Sequence, residues 1–185
     1  DNFKLLKEGD PNGKFWVPAM SDAPLRGYNG RHEWFWEPGD EAHIYPVDKL
    51  VDMYEKSVGR NSTLILGLTP NADGLMPAQD VERLRAFGRV IKQRFSNPIA
   101  NTQGTGQLFL LSLPKKQQVN QVVLQENIIK GERVRQFRLE GKTDQGWQNI
   151  FEGSCIGHKF IHRFESSELT AIRLTITDAV AEPDI

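Results

Sequence analysis

Apolar positions in the first hundred residues follow two different periods. After Pro46, the residues Val47, Leu50, Val51, Tyr54 and Val58 recur at i, i+3, i+4, i+7 and i+11 with polar residues between them. This pattern predicts an amphipathic helix ended by Gly59. Thr63-Leu64-Ile65-Leu66-Gly67-Leu68 is then a continuous apolar run, the pattern of a strand buried on both faces in a helix-covered parallel sheet. Thr69-Pro70-Asn71-Ala72-Asp73-Gly74 supplies a turn. Pro77 and Asp80 open a second helix with Val81, Leu84, Phe87, Ile91 and Phe95 on one face. Helix, buried strand, loop and helix make the rhythm of an α/β barrel or doubly wound sheet.

The pattern changes near Ser96. Asn97-Pro98 and Thr102-Gln103-Gly104-Thr105-Gly106 read as a linker, and no helix is expected beyond it. Leu108–Leu113 and Val119–Gln125 are strand candidates, with Lys115-Lys116 as a solvated loop between them. Phe137 and Leu139 alternate with polar neighbours, and Gly141 to Gly146 turns the chain into Trp147. Ile172, Leu174 and Ile176 alternate with Arg173, Thr175 and Thr177, a strand covered on one face. Short strands with turns between them predict an antiparallel β-sandwich or jelly roll. Residues 1–100 are therefore expected to form one α/β region, and residues 105–185 an all-β domain.

Composition narrows the partners. The 185 residues can bury a real core, and a net charge of −1 with mixed signs points away from nucleic acid or an anionic membrane as principal partner. No apolar run approaches the roughly 20 residues of a membrane-spanning helix. Cys155 is the only cysteine, so no intrachain disulfide can form. The four histidines lack a metal-ligand spacing, so neither metal nor cofactor is expected. Opening at Asp1, the chain reads as processed or partial.

Candidate chemistry concentrates in Arg31-His32-Glu33-Trp34-Phe35-Trp36-Glu37. Aromatic rings stack on the apolar face of a pyranose, while carboxylates and basic donors read its hydroxyls or act as acid and base. A half-buried aromatic strand with its charges turned outward accounts for the same composition. In an extended segment Trp34 and Trp36 would share one side, with Phe35 opposite. Arg31 either binds hydroxyls or pairs with Asp22 or Glu37 to hold the loop. Asn61-Ser62-Thr63 is a glycosylation sequon at the mouth of a buried strand, where use is not expected. Gly157-His158-Lys159 reads as structural.

Longer motifs add a resemblance. Val51-Asp52-Met53-Tyr54, the run from Ser57 to Pro70, Asp73-Gly74, Leu84, Phe87 and Gly88 resemble the barrel-closing segment of α-L-fucosidases, glycoside hydrolase family 29. Val123 to Ile128, Gly131 to Arg135, Gly146-Trp147, Gly153 to Lys159 and Arg173 to Thr177 are similar, in order, to that family's C-terminal β-sandwich. The resemblance implies the C-terminal portion of a (β/α)8 TIM-like barrel followed by an antiparallel, jelly-roll-like sandwich lacking its last strand. It implies a retaining exo-α-L-fucosidase acting on a fucosylated oligosaccharide or glycoconjugate, exported or lysosomal. The nucleophile, an Asp, would precede residue 1, and the N-terminal remainder of the barrel would be a partner.

In one branch of the family the acid/base is the Glu of Trp-Val-Pro-Ala-Glu. Here the matching residues are Trp16-Val17-Pro18-Ala19-Met20, and Met cannot donate a proton. Glu33 is the preferred replacement, with desolvation between His32 and Trp34 raising its pKa. Trp34, Trp36, His32 and Arg31 are the candidate substrate-binding residues. Asp22, Glu37, Asp40 and Glu41 remain alternatives for the acid, as does a residue outside the chain. Two other readings stay open: a non-catalytic carbohydrate-binding or structural module, and a relative that keeps the fold without activity.

Overall fold

The structure, a computed structural model, describes residues 10–15, 17–31 and 34–185. These divide into two compact units, one mixed α/β and one antiparallel β.

The α/β unit comprises Ala19–Val58 and Ser62–Asn97. Its strands β1 (Ala19–Pro24) and β2 (Ser62–Gly67) are parallel, with Ala19 opposite Ser62 and Pro24 opposite Gly67. Helix α1 (Val47–Ser57) buries Leu50 and Val51, two of the positions set by the apolar period. Leu25, Ile44 and Leu50 form the core, with Met53 of α1, Leu66 of β2, and Leu84 and Phe87 of helix α2 (Ala78–Phe95) packed around it. Tyr54 packs edge-on against Phe87 and lies at 5.4 Å from Phe95, joining the two helices.

The apolar run of β2 is not buried on both faces. Leu64 and Leu66 are half-buried, whereas Thr63 and Ile65 are exposed, as are their β1 neighbours Met20 and Asp22. Met20 is 72% exposed and Ile65 44%. A run of apolar residues cannot by itself say whether its second face has a cover, because periodicity is silent where every position is apolar.

The β unit holds Gly59–Asn61 and Pro98–Ile185 together with the described residues up to Pro18. Its sheet has the order β3-β6-β4-β5, all antiparallel, formed by β3 (Leu108–Leu124), β4 (Val134–Thr143), β5 (Gly146–Gly153) and β6 (Phe160–Ala179). Two separately expected strands are thus one. Lys115-Lys116 is no loop: it lies within β3, where the register slips between Ser112 and Gln117 while β6 advances only from Ala171 to Leu169. Such a bulge bends a strand without ending it. Lys116 reaches Asp144 at 2.6 Å and Glu168 at 3.0 Å.

The turn expected at Gly141 to Gly146 is shorter than its composition suggests, for Gly141, Lys142 and Thr143 continue β4 and only Asp144-Gln145 connects to β5. Gly141 is buried there, and a Cβ on it would lie 2.8 Å from the Leu169 side chain. The core consists of Phe109, Val119, Leu124, Val134, Phe137, Leu139, Ile156, Leu169, Ile172, Leu174 and Ile176. Leu169 and Ile172 are both buried in this core, at the stretch where the β3 bulge lies opposite β6. The first half of β6 lays Phe160 against Phe137 at 5.3 Å and Phe151 at 5.6 Å, packed against that core.

Candidate functional site

The segment after β1 carries the predicted cluster. Leu25 donates its N–H to the Gly67 carbonyl at 2.8 Å, so the chain leaves β1 still fastened to β2. Arg26 then turns into the interior and is only 2% exposed. Its Nε and Nη2 donate to the two oxygens of Asp80, at 3.2 and 2.7 Å. Asp80 lies in the first turn of α2 and is fully buried. A buried charge needs such a fork-to-fork partner to offset its lost hydration.

The network extends outward. Arg26 Nη1 lies 3.9 Å from Asp40 Oδ2, and Arg31 Nε lies 3.4 Å from Asp40 Oδ1. Arg31 also donates to Glu37. Charges therefore alternate along Asp80, Arg26, Asp40, Arg31 and Glu37. Of the two partners foreseen for Arg31, Glu37 is the one the structure brings to it, with Asp40 added. Asp40 is buried, while Asp22 and Glu41 are exposed. Asp40 is thus buried between two guanidinium groups.

The aromatic residues do not form a strand. Residues 34–37 are irregular, with a bend at Phe35. Trp34 is 46% exposed, Phe35 76%, and Trp36 is half-buried. The ring of Trp34 lies over the end of β2, where a Cβ on Gly67 would be 2.7 Å from Cζ3 and 3.5 Å from Pro24 Cα. By strand alternation that Cβ would share the face of Thr63 and Ile65. Trp34 accordingly caps the exposed face of β1–β2 at the C-terminal ends of both strands. His32 and Glu33 lie outside the described residues, as does Trp16.

Arg26 and Asp80 belong to the site and were not foreseen in it. Asp80 reads as an ordinary acidic residue in a helix first turn, and Arg26 as part of a loop. Their separation of 54 positions leaves no local signal that they meet. Among the described residues, no three His, Cys, Asp or Glu side chains converge on a metal position.

The outer face of the β unit carries a second aromatic–charge cluster. The Arg173 guanidinium lies 4.3 Å from the Trp147 ring centroid and donates to both oxygens of Glu140 at 2.7 and 2.8 Å. The Arg173 pairing holds the Glu140 carboxyl below its ordinary pKa. Arg173 lies over the ring, so this cluster satisfies itself.

No protein-family model matches the chain. A rice (Oryza sativa subsp. japonica) protein assigned as α-L-fucosidase 1 is 32% identical over 95% of this chain and 39% of its own length. The crystal structure of a Bacteroides thetaiotaomicron protein assigned to the α-L-fucosidases is 55% identical, with a TM-score of 0.94, over 100% of this chain and 43% of that one. A glycoside hydrolase 29 family member from an unknown rumen bacterium is 31% identical, with a TM-score of 0.84, over 98% of this chain and 34% of that one. The chain thus spans about two-fifths of the length of the relatives it matches first. In sequence and in backbone alike, it corresponds to the C-terminal part of the α-L-fucosidases of glycoside hydrolase family 29.

Proposed function

We propose that the protein carrying this chain is a retaining exo-α-L-fucosidase that removes terminal α-L-fucosyl residues from glycans. The observation that carries the reading is the match of the whole chain, in sequence and in fold, to proteins of that name. The α/β unit supplies the last elements of a (β/α)8 barrel, and the β unit is the C-terminal sandwich. The exposed face of β1–β2, with Met20, Asp22, Thr63 and Ile65, becomes barrel interior once upstream strands add to the sheet. Trp34 at the C-terminal ends of the strands then stands at the end where barrel enzymes keep their chemistry.

In the proposed reaction an upstream Asp carboxylate attacks the anomeric carbon while Glu33 gives its proton to the departing glycosidic oxygen. Water then hydrolyses the glycosyl-enzyme, with Glu33 taking a proton back. Such a pair of carboxyl groups stands about 5–5.5 Å apart. Trp34 and Trp36 flank the sugar or its leaving group, and His32 and Arg31 contact hydroxyls. The fucosylated glycan is the substrate, the upstream part of the barrel the intramolecular partner, and the compartment exported or lysosomal.

Glu33→Ala in the full-length protein tests the assignment. Hydrolysis of a natural fucoside should collapse, while an aryl fucoside with a good leaving group should lose less and recover with azide. Equal loss on both substrates, or no loss, removes Glu33 from the role. A lone 21.0 kDa species that hydrolyses no fucoside leaves the non-catalytic module as the reading.

A further inference from the structure

We infer that Asp40 is a positioning residue for the loop of residues 31–40, acting as the central link of a buried charge chain that ties this loop to the scaffold. The inference rests on the proposed fucosidase reading, in which that loop carries the proton donor and the sugar-facing rings. Both ends of the loop are fixed. At its start, Arg31 meets Asp40 at 3.4 Å and Glu37, and its carbonyl lies 3.2 Å from where a Cβ on Gly27 would stand. At its end, the Asp40 carbonyl accepts the His43 N–H at 3.1 Å, opening the short 3-10 turn Glu41–His43. Asp40 Oδ2 faces Arg26, which is itself held by both oxygens of Asp80. The first turn of α2 is thereby connected, through two buried links, to a loop whose body exposes Trp34 and Phe35.

Stability alone does not require this arrangement. Buried ion pairs are often matched or exceeded by apolar residues of similar volume, because desolvation offsets their attraction. The chain instead supplies direction. Arg26 holds Asp80 through Nε and Nη2 while its Nη1 faces Asp40, and Asp40 in turn faces Arg31, so residue 40 is set relative to both α2 and residue 31. An active-site group needs rigid support of this kind, since a displacement of about 1 Å costs roughly 100-fold in rate.

Asp40→Asn in the full-length protein keeps the shape and removes the charge that both arginines face. Two substrates separate positioning from general damage: an alkyl fucoside, whose leaving group must be protonated, and fucosyl fluoride, whose leaving group need not be. The expected result is a fall in kcat/KM of about 100-fold on the alkyl fucoside and of only about tenfold on the fluoride, which loses the ring contacts but needs no proton. If Asp40→Asn does not fold, Arg31→Lys carries the same comparison, because it keeps the charge on a partly exposed side chain and loses the fork. Equal losses on both substrates, or none on either, overturn the inference while leaving the fucosidase reading intact. A wild-type protein inactive on both overturns the reading, and the inference with it.

Discussion

The indole of Trp34 occupies the place where Gly67 would carry a side chain, 2.7 Å from the position of its Cβ. Any larger residue at 67 must push the ring off the end of β2. Because Trp34 is about half exposed, the ring can swing toward solvent instead of straining the core. Gly67→Ala is therefore expected to cost only about 1 kcal/mol in stability. Its effect on sugar binding should be larger, roughly tenfold in KM if the ring stacks on the substrate. Urea unfolding and steady-state kinetics of the full-length protein check both halves.

In the β unit, Asn61 Oδ1 accepts the His158 N–H at 2.7 Å, and a Cβ on Gly157 would lie 2.3 Å from Asn61 Nδ2. Asn61 has φ of 63° and Gly157 of 60°, both in the left-handed region. The Asn61 amide oxygen is thus engaged in the fold. Gly157→Ala combines a steric overlap with backbone strain and should cost about 2–3 kcal/mol. Asn61→Ala should cost about 1–2 kcal/mol through the lost acceptor and the left-handed backbone. Denaturant melts should rank the two in that order.

What the sequence makes legible follows from the range of the forces involved. Helix α1, helix α2 and the alternation at 172–176 are written in local periodicity, and each lies where that periodicity places it. The bulge that absorbs Lys115-Lys116 depends on how β6 pairs opposite, so two polar residues read as a loop. At the candidate site the distinction is sharper. The aromatic cluster announces itself through composition. The meeting of Arg26 with Asp80, and of Trp34 with Gly67, depends on folding across 54 and 33 positions and has no local trace.

Glu126 illustrates a buried carboxylate with a structural task. Its Oε1 accepts from the N–H groups of Arg133 at 2.5 Å and Val134 at 3.1 Å, and Oε2 accepts from Gly157 at 3.3 Å. Those three donors come from the start of β4 and from the loop before β6. Glu126→Ala leaves them unpaired in the interior, and a loss of roughly 3 kcal/mol or more is expected. Glu126→Gln keeps a single carbonyl acceptor and should lie between the wild type and Ala. Thermal unfolding of the three proteins gives the order directly.

His162 makes the stability of the β unit depend on pH in a defined direction. Its ring lies 4.2 Å from Phe151 and stacks at 6.1 Å on Phe164, and burial pushes its pKa below the ordinary 6.5. Because the unfolded chain binds the proton more tightly than the folded one, lowering the pH favours unfolding. The contribution is complete above the unfolded pKa of about 6.5 and is lost as pH falls through the lower folded value. Replacing the imidazole with a ring that cannot titrate removes this dependence while keeping the stack. His162→Phe should therefore have a flatter Tm profile than the wild type below about pH 6.5, the two converging in slope above it. Parallel profiles across that window would show that the half-buried imidazole is not the titrating group.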